Sequence, residues 1–483
     1  MKRVLILIII IAGCIGQQQL QFQSCSPAEQ AVTIGEGEEL EFSCVLTDSP
    51  NVSYMWYVDE EMVSQDSIFT FSEAPGTYTV AIEVTYGRET ISHEWEVTVE
   101  ESLASLDFSI IESKVEAIRG LKFLESVRRI VIDRMEMREN FLEDIQEDRE
   151  AIEIEQKVYE ALHVWNPEDD LFQVYIDVMT EQVASYYDTG DHTYYQVVDP
   201  GSPLAYQEFI ASHELVHALQ DQHHLLDFDT EDDDEYQAFL SLVEGDALLH
   251  QYEYLYKMPY QKQAEIFEYI NHLEIPVVNQ FLENLLVLRY DLGLNFVIEM
   301  RLTGIDNLYS RLPSSTEQVI HPDKYISNEQ PLPSALPVIP EWECIAENTL
   351  GEAFIATFLK EHLDAEQAGA AASGWGGDTY GYYEWLDDYL FIINSYWDTE
   401  EDASEFFMAY YDFIASWSDG KVGKSGSNLY EIPTGFISFV WRDNQVIIVE
   451  SSSRDAIELA LSLLDSDSSL DCYKNVDSGL MFF

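Results

Sequence analysis

Two histidines and a glutamate stand at a spacing that suits metal chemistry. His213 and His217 enclose Glu214 in the sequence HELVH. The stretch that follows Pro203 has good helix formers, apolar residues at helical spacing and no Gly or Pro, which predicts a helix with Pro203 as its first residue. One turn apart on a helix, the two imidazoles face the same way and can bind one Zn²⁺. Glu214 can then take a proton from water at the metal.

A third ligand must come from farther along the chain. Glu244 lies in YQAFLSLVEGDALLH, where helical spacing places it on an apolar face, and a carboxylate there needs a partner such as a metal. His223 completes HELVHALQDQH, which resembles the metzincin spacing HExxHxxGxxH, but Gln220 stands where that spacing has a Gly to turn the chain back toward the metal. We favour Glu244. We interpret Asp246, the remaining candidate, as an acceptor that orients a ligand imidazole.

Three segments of the chain resemble zincin metallopeptidases of the gluzincin type. HELVHALQDQ at 213–222, EGDA at 244–247 and STEQVIHP at 315–322 are similar to a prokaryotic group that carries HELxHALQDQ, EGDA and STEQxxHP. The likeness extends over roughly residues 105–395. It implies a zinc-dependent peptidase fold and names no substrate.

The chemistry expected from these residues is peptide hydrolysis at Zn²⁺ held by His213, His217 and Glu244. Glu214 would act as the general base and then pass the proton to the leaving amine. His321, in the third segment, is either a hydrogen-bond donor to the oxyanion on the scissile carbonyl or a capping and packing residue. The substrate would be a peptide or a protein.

Two alternatives stay open at this point. The chain is a cell-surface interaction or adhesion protein with a structural or vestigial zinc site, or an amidase that acts on cell-wall peptide. Glu214 argues against the first alternative, because a closed structural zinc site needs no general base.

The elements that would position these residues predict a multidomain α+β chain. A β-sandwich similar to Ig and PKD modules precedes a mainly helical zincin metallopeptidase domain and a small α/β, ferredoxin-like unit. The predicted divisions are a signal peptide (1–13), a tether (14–26), the sandwich (27–100), the peptidase domain with N-terminal helices (101–390) and the small α/β unit (391–483).

Local patterns support these divisions. β-rich runs from AVTI to HEWEVTVE recur at short spacing before residue 100, and Trp56 fits a buried strand aromatic. Residues 103–165 are charged with an apolar stripe, which predicts helices. Thr189–Asp191 predicts a hairpin. The zincin resemblance implies that this sheet offers an edge strand to an extended substrate, and Tyr186 or Tyr187 either faces the cleft or packs the sheet.

Two further patterns concern the acidic loop and the cysteines. LLDFDTEDDDEY, between the two ligand helices, predicts a solvated acidic loop, with Ca²⁺ binding as the alternative. For the cysteines after Cys14 we predict disulfides Cys25–Cys44 and Cys344–Cys472, among three possible pairings.

The charge of the chain is extreme. Lys+Arg number 24 against 90 Asp+Glu, a net charge of −66. Nucleic acid is excluded as a partner, because phosphate binding needs the opposite sign. Molar salt shortens the Debye length to about 3 Å and screens the self-repulsion. We therefore expect a halophilic prokaryote, an archaeon in particular, and loss of native near-UV CD below roughly 0.5 M salt.

The N-terminus MKRVLILIIIIAGCIG reads as an export signal. Lys2 and Arg3 precede an apolar stretch that is too short for a full membrane span. Ile11–Cys14 resembles the cleavage box of prokaryotic lipoproteins. This resemblance implies a lipidated Cys14 that anchors the protein at the outer face of the cell membrane, whereas an ordinary signal peptide or a short uncleaved anchor is the alternative.

Overall fold

The structure, a computed structural model, describes residues 20–35, 39–47, 52–73, 76–100, 106–198, 201–226, 228–273, 279–426 and 428–466. The chain divides after Asp107 into two compact units, which are described separately here. Cys14 and Cys472 lie outside the described residues, so the predictions of a lipid anchor and of a Cys344–Cys472 disulfide stay predictions.

Strands in two sheets build the first unit. In chain order they are β1 (Phe22–Ser26), β2 (Ala31–Gly35), β3 (Leu40–Leu46), β4 (Ser53–Val58), β5 (Glu61–Ser64), β6 (Ile68–Phe71), β7 (Gly76–Tyr86) and β8 (Glu89–Glu100). One sheet has the order β1-β3-β6 and the other β2-β8-β7-β4-β5. Strands β2 and β8 pair in parallel, and the other neighbours pair antiparallel. The β-rich runs predicted from the sequence are confirmed as strands.

Aromatic residues fill a core shared by strands of both sheets. Trp56 is fully buried, as predicted, and its ring lies 6.0 Å from that of Trp95. Phe42 packs 4.9 Å from Trp95 between ring centroids. The predicted Cys25–Cys44 disulfide is confirmed and joins β1 to β3.

The predicted tether, residues 14–26, is wrong at its end. Phe22–Ser26 form β1, which pairs with β3 from the Phe22–Leu46 pair to the Ser26–Ser43 pair. The sequence FQSCS carries little hydrophobic alternation of its own. The ladder to β3 and the disulfide order it, so the first sheet begins before residue 27.

The second unit mixes helices with two sheets. Its α-helices are α1 (Phe108–Arg119), α2 (Arg134–Glu147), α3 (Arg149–Ala161), α4 (Leu171–Gln182), α5 (Leu204–His224), α6 (Asp233–Lys257), α7 (Tyr260–His272), α8 (Gln280–Met300), α9 (Ile305–Leu308), α10 (Thr316–Ile320), α11 (Pro322–Ser327), α12 (Gly351–Leu359), α13 (Ala365–Ala372), α14 (Glu400–Trp417) and α15 (Arg454–Ser466). Across the described residues, no helix combines the length and the apolarity needed to cross a membrane. The chain is therefore a multidomain protein of mixed helices and sheets, as predicted at that level.

The smaller sheet of this unit has the strand order β10-β11-β9. Its strands are β9 (Arg128–Asp133), β10 (Ser185–Asp188) and β11 (Thr193–Val198). The predicted hairpin is confirmed, because β10 and β11 pair antiparallel on either side of Thr189–Asp191. Strand β10 lies at the edge of the described sheet.

The prediction of continuous helices over residues 103–165 is wrong at β9. Helix α1 ends at Arg119, before Gly120 with φ +81°. RRIVID then forms a strand that pairs in parallel with β11. Arg128 of β9 pairs with Thr193 of β11, 65 residues farther along the chain, so the local pattern of charges and apolar residues does not reveal the strand.

The larger sheet has the strand order β12-β13-β14-β18-β17-β16-β15. Its strands are β12 (Glu343–Asn348), β13 (Trp375–Trp385), β14 (Asp388–Trp397), β15 (Gly423–Lys424), β16 (Leu429–Ile432), β17 (Gly435–Arg442) and β18 (Gln445–Ser451). The predicted hairpin at Asp443 is confirmed between β17 and β18. The predicted boundary at 390/391 is wrong, since it falls within β14, whose full ladder to β13 joins the two sides.

Three helices set the geometry around the HELVH segment. Helix α5 carries it, beginning at Leu204 directly after Pro203, which is the residue before the helix rather than its first residue. Helices α6 and α8 cross at Gly245 and Gly293. A Cβ on Gly245 would lie 2.1 Å from the carbonyl carbon of Gly293, so only glycine fits this crossing. The glycine of the EGDA segment thus holds α6 against α8 next to Glu244.

Candidate metal centre

The structure brings the three predicted ligands together. His213 and His217 lie one turn apart on α5, and Glu244 reaches them from α6. The two Nε2 atoms are 3.0 Å apart, and Glu244 Oε2 lies 3.2 Å from His213 Nε2 and 3.5 Å from His217 Nε2. These residues form one of two groups of ligand-type side chains that converge among the described residues.

The three ligand atoms fit a zinc ion. A triangle with these sides has a circumradius of about 1.9 Å, so an ion at the usual distances of about 2.0–2.2 Å from each atom lies just off its plane. Two imidazole nitrogens and one carboxylate oxygen are the donor set of many catalytic zinc sites, in which the fourth position stays open. The group is mostly buried, with 11%, 12% and 15% of the side chains exposed at His213, His217 and Glu244.

The electrostatics of the group favour a cation between the three side chains. Burial opposes ionisation of Glu244, but His217 and His213 outweigh it and hold the pKa of this carboxyl well below its usual range. Burial likewise opposes a charge on His217, yet the Glu244 carboxylate raises its pKa to about 9. The group therefore retains a carboxylate charge and attracts positive charge, whether protons or a metal ion.

Glu214 is held at the buried side of this group. Burial raises its pKa above the usual value, although both histidines act in the opposite direction. The backbone N–H of Tyr187 in β10 donates a hydrogen bond to its carboxylate. A buried carboxylate with a raised pKa suits a group that must both accept and release a proton.

Tyr187 itself is fixed to α5. Its hydroxyl donates to Asp221 Oδ2 over 2.9 Å, and His192 Nδ1 lies 2.7 Å from the same oxygen. Tyr186 stacks on Tyr195, with 4.9 Å between ring centroids. Asp221 thus ties the edge strand β10 to the helix that carries the histidines.

The other two ligand candidates lie outside the group. His223 faces away from it, and its Nε2 lies 2.8 Å from the carbonyl oxygen of Lys122. Asp246 is fully buried and forms an ion pair with Arg119 at 3.0 Å. Gln220 Nε2 donates to Asp246 Oδ2 over 3.0 Å, and Gln220 Oε1 lies 2.8 Å from His217 Nδ1. Asp246 therefore approaches the ligand imidazole through Gln220, not directly.

His321 lies in a separate group of charged residues. Its Nε2 is 2.9 Å from Glu352 Oε1, a carboxylate that raises the pKa of the imidazole. Its neighbour Lys324 pairs with Glu317 at 2.6 Å and with Glu329 at 2.9 Å. These contacts tie the STEQVIHP segment to α12 and to the loop after α11, and they favour the packing interpretation of His321.

The acidic stretch at 225–236 is not all a solvated loop, contrary to the prediction, because its residues from Asp233 onward begin α6 and the first of them are buried. Asp233 and Asp234 are 6% and 2% exposed. Asn348 Oδ1 accepts the Asp233 N–H, and Asp234 accepts the backbone N–H and the hydroxyl of Thr316. The partners lie 82 and 115 residues away, so the local acidic composition gave no sign of them. This contact braces α6, which presents Glu244.

Two residues of the site were not predicted from the sequence. Tyr290 on α8 hydrogen-bonds Glu244, and its ring lies 6.3 Å from that of His213. Gln220 was considered only as a residue that prevents a metzincin-like turn. The signal available for Gln220 was its position three residues after His217, on nearly the same face of α5. No comparable local signal marks Tyr290, because its partner lies on another helix.

The family-model match lies in another part of the chain. A family model described as a domain of unknown function (DUF8575) matches residues 342–460, which contain the larger sheet and none of the zinc-binding candidates. None of the curated proteins matches this chain.

Two solved structures share short stretches with it. A quinonprotein alcohol dehydrogenase-like protein from Bacteroides thetaiotaomicron is 13% identical over 17% of this chain and 20% of that chain, with a TM-score of 0.16. SGBP-B of a Bacteroides ovatus mixed-linkage glucan utilization locus, in complex with a heptasaccharide, is 20% identical over 20% of this chain and 24% of that chain, with a TM-score of 0.14. This chain thus spans about a quarter or less of either protein, and these likenesses decide neither fold nor function.

Proposed function

We propose that this protein is a zinc-dependent metallopeptidase that hydrolyses peptide bonds. The convergence of His213, His217 and Glu244, with Glu214 buried beside them, is the observation that carries the proposal. A surface ion pair would not need two imidazoles and a carboxylate aimed at one point. The resemblance to gluzincin-type zincins supports the same ligand set.

His213, His217 and Glu244 would hold the zinc ion. When bound, zinc supplies Lewis-acid chemistry, which acidifies water and polarises a carbonyl group. Glu214 takes the proton of the attacking water on a carboxylate oxygen. It then gives this proton to the nitrogen of the leaving amine. The hydrogen bond from the Tyr187 N–H keeps the carboxylate oriented through both transfers.

Two side chains are candidates to stabilise the negative charge that develops on the substrate oxygen. The Tyr290 hydroxyl lies within the group of ligands, where it donates its one proton to Glu244; once Glu244 binds zinc, this proton is available to an oxygen that enters there. His321 stays a proposal from the sequence, although Glu352 already occupies its Nε2. The contacts favour Tyr290.

The proposed substrate is an extended peptide or protein segment. Strand β10 lies at the edge of its sheet, and the Tyr187 N–H in this strand reaches Glu214. An edge strand can pair with the backbone of an extended chain irrespective of its side chains. This geometry supports hydrolysis of unfolded or extended segments.

The proposed organisation of the rest of the chain follows its topology. The two sheets around Trp56 support an Ig- or PKD-like module, which we propose is a spacer. The elements β14, α14, β17, β18 and α15 follow in this chain order, with β15 and β16 between α14 and β17, and β18 lies between β14 and β17 in the sheet; this arrangement supports a ferredoxin-like unit within the larger sheet. We propose that a lipid on Cys14 holds the protein at the outer face of the membrane of a halophilic archaeon.

The test is hydrolysis of an unfolded protein such as casein in molar salt. Wild type should cleave casein, lose activity with a zinc chelator and regain it when zinc is added back. Activity that persists after complete removal of metal would contradict the proposal. A folded, zinc-loaded protein that cleaves no peptide would instead favour the interaction or adhesion protein.

A further inference from the structure

The side-chain amide of Gln220 occupies a fully buried position between a zinc-ligand candidate and an ion pair. Its Oε1 lies 2.8 Å from His217 Nδ1. Its Nε2 donates to the Val243 carbonyl oxygen over 2.9 Å and to Asp246 Oδ2 over 3.0 Å. The amide therefore spans from α5 to α6.

These partners determine which way the amide points. Val243 and Asp246 offer only oxygen acceptors on one side, so the NH₂ group must face them. The oxygen must then face His217 and can only accept a hydrogen bond. In its neutral form, the form that binds zinc, His217 consequently carries its proton on Nδ1, which leaves the Nε2 lone pair directed toward Glu244 and His213.

Asp246, which accepts from Gln220, is itself held by charged and polar neighbours. Asp246 forms an ion pair with Arg119 of α1 at 3.0 Å and accepts a hydrogen bond from the Tyr309 hydroxyl over 2.9 Å. His250 Nδ1 also lies 2.9 Å from Asp246 Oδ1. With so many donors around it, Asp246 cannot rotate away from Gln220 without loss of several buried contacts.

We propose that Gln220 is a positioning residue for the zinc site, which fixes the tautomer and orientation of His217 and relays the charge of Asp246 to it. This inference rests on the proposed zinc site. In many zinc sites a carboxylate accepts the ligand imidazole's N–H directly. Here the amide stands between them and transmits part of the carboxylate charge through two hydrogen bonds. Gln220, which stands at the glycine position of the metzincin spacing, thereby has a function at the zinc site.

The test is the zinc affinity of variants, measured in molar salt by competition with a chromophoric chelator. Gln220→Leu keeps much of the side-chain volume and removes the hydrogen bonds, and it should weaken zinc binding by about 10- to 100-fold. Gln220→Asn, which is one methylene shorter, should lose affinity in the same direction and serves if the leucine variant does not fold. Gln220→Glu should recover most of the loss, because it keeps the chain length and an oxygen acceptor for the His217 Nδ1–H.

Gln222→Leu is the matched control on the same helix. The Gln222 Oε1 accepts the backbone N–H groups of Leu124 and Glu125, away from the ligands, so this variant should keep wild-type zinc affinity. Unfolding of the metal-free proteins reports any purely structural effect separately.

The outcomes are distinguishable. Equal zinc affinities for folded Gln220→Leu, Gln220→Asn and Gln222→Leu would overturn the role of Gln220 and leave the zinc site intact. A wild-type protein that binds no zinc would overturn the zinc site, and with it this inference.

Discussion

Two groups of ligand-type side chains converge in the second unit, and they differ in what neutralises them. In the first, His213, His217 and Glu244 meet with their ligand atoms 3.0–3.5 Å apart. In the second, Glu317, Glu329 and Asp398 surround the Lys324 ammonium at 2.5–2.9 Å. Among the described residues, no lysine or arginine pairs with Glu244 in this way.

The difference separates a structural ion pair from a site for a foreign ion. Lys324 supplies the cation of the second group, so this group is complete within the chain. The first group has a carboxylate and two imidazoles, and its ion pairs among the described residues are with those imidazoles, whose protons carry the positive charge. Zinc can replace these protons, whereas it would have to displace a lysine from the second group. The STEQVIHP segment belongs to the second group, and this suggests that its motif braces the fold.

The sharpest way to test the first group is Glu214→Gln. The amide cannot accept a proton from water, so kcat for casein should fall by roughly 10²- to 10⁴-fold. Zinc content should stay at the wild-type value, because Glu214 is not a ligand. Steady-state hydrolysis and metal analysis of the same samples check both parts. Wild-type turnover by this variant would refute the role of Glu214.

The next test removes a ligand. Glu244→Ala should weaken zinc affinity by more than about 100-fold, because loss of a ligand costs more than loss of a residue that only supports one. His223→Ala is the matched control and should bind zinc like wild type, since its partner is the Lys122 carbonyl oxygen. Chelator competition measures both. The reverse pattern would support the metzincin-like spacing.

The second group predicts an effect on stability without an effect on zinc. Lys324→Gln leaves Glu317, of which 4% of the side chain is exposed, without its cation, and should lower the unfolding free energy by about 3 kcal/mol. Lys257→Gln, at an exposed lysine, should change it by less than about 1 kcal/mol. Denaturant unfolding in constant salt provides the measurement. Loss of zinc from folded Lys324→Gln would show that the two groups are not independent.

Glu155, a buried carboxylate outside both groups, predicts how stability depends on pH. Burial raises the pKa of Glu155 to about 8, although Tyr159 and Tyr175 donate hydrogen bonds to it and act in the opposite direction. Its pKa when unfolded is about 4.3. Between these values the folded protein keeps a proton that the unfolded chain releases, so this group lowers stability as pH rises, by about 1.4 kcal/mol per pH unit.

Glu155→Gln should remove this dependence. The variant should gain stability relative to wild type as pH increases from 5 to 8, and denaturant unfolding at several pH values would detect it. Glu153→Gln, at an exposed position on the same helix, should follow the wild-type profile. Parallel profiles for wild type and Glu155→Gln would show that Glu155 is ionised when folded.

The parts of the fold and site that were predicted correctly depend on patterns within one short segment of the sequence. The spacing of His213 and His217 and the apolar face around Glu244 depend only on helical periodicity, and the structure brings these residues together. The strands around Trp56 were predicted from β-rich runs of their own.

The parts that were missed depend on distant partners. Strand β9 forms by pairing with β11, and Asp234 is buried because Thr316 satisfies it. The boundary placed at 390/391 failed since β13 and β14 form one ladder across it. Tyr290 joins the site only through the close crossing of α6 and α8. None of these contacts produces a periodic pattern in the sequence around the residue that makes it.

The measurement that tests the central claim most directly is zinc X-ray absorption on the protein purified in molar salt. We expect one zinc ion with two imidazole ligands and oxygen, all at about 2.0–2.2 Å, and no sulfur. Glu244→Ala should lose this signal. A shell of sulfur near about 2.3 Å, or a zinc spectrum unchanged in Glu244→Ala, would contradict the site of His213, His217 and Glu244.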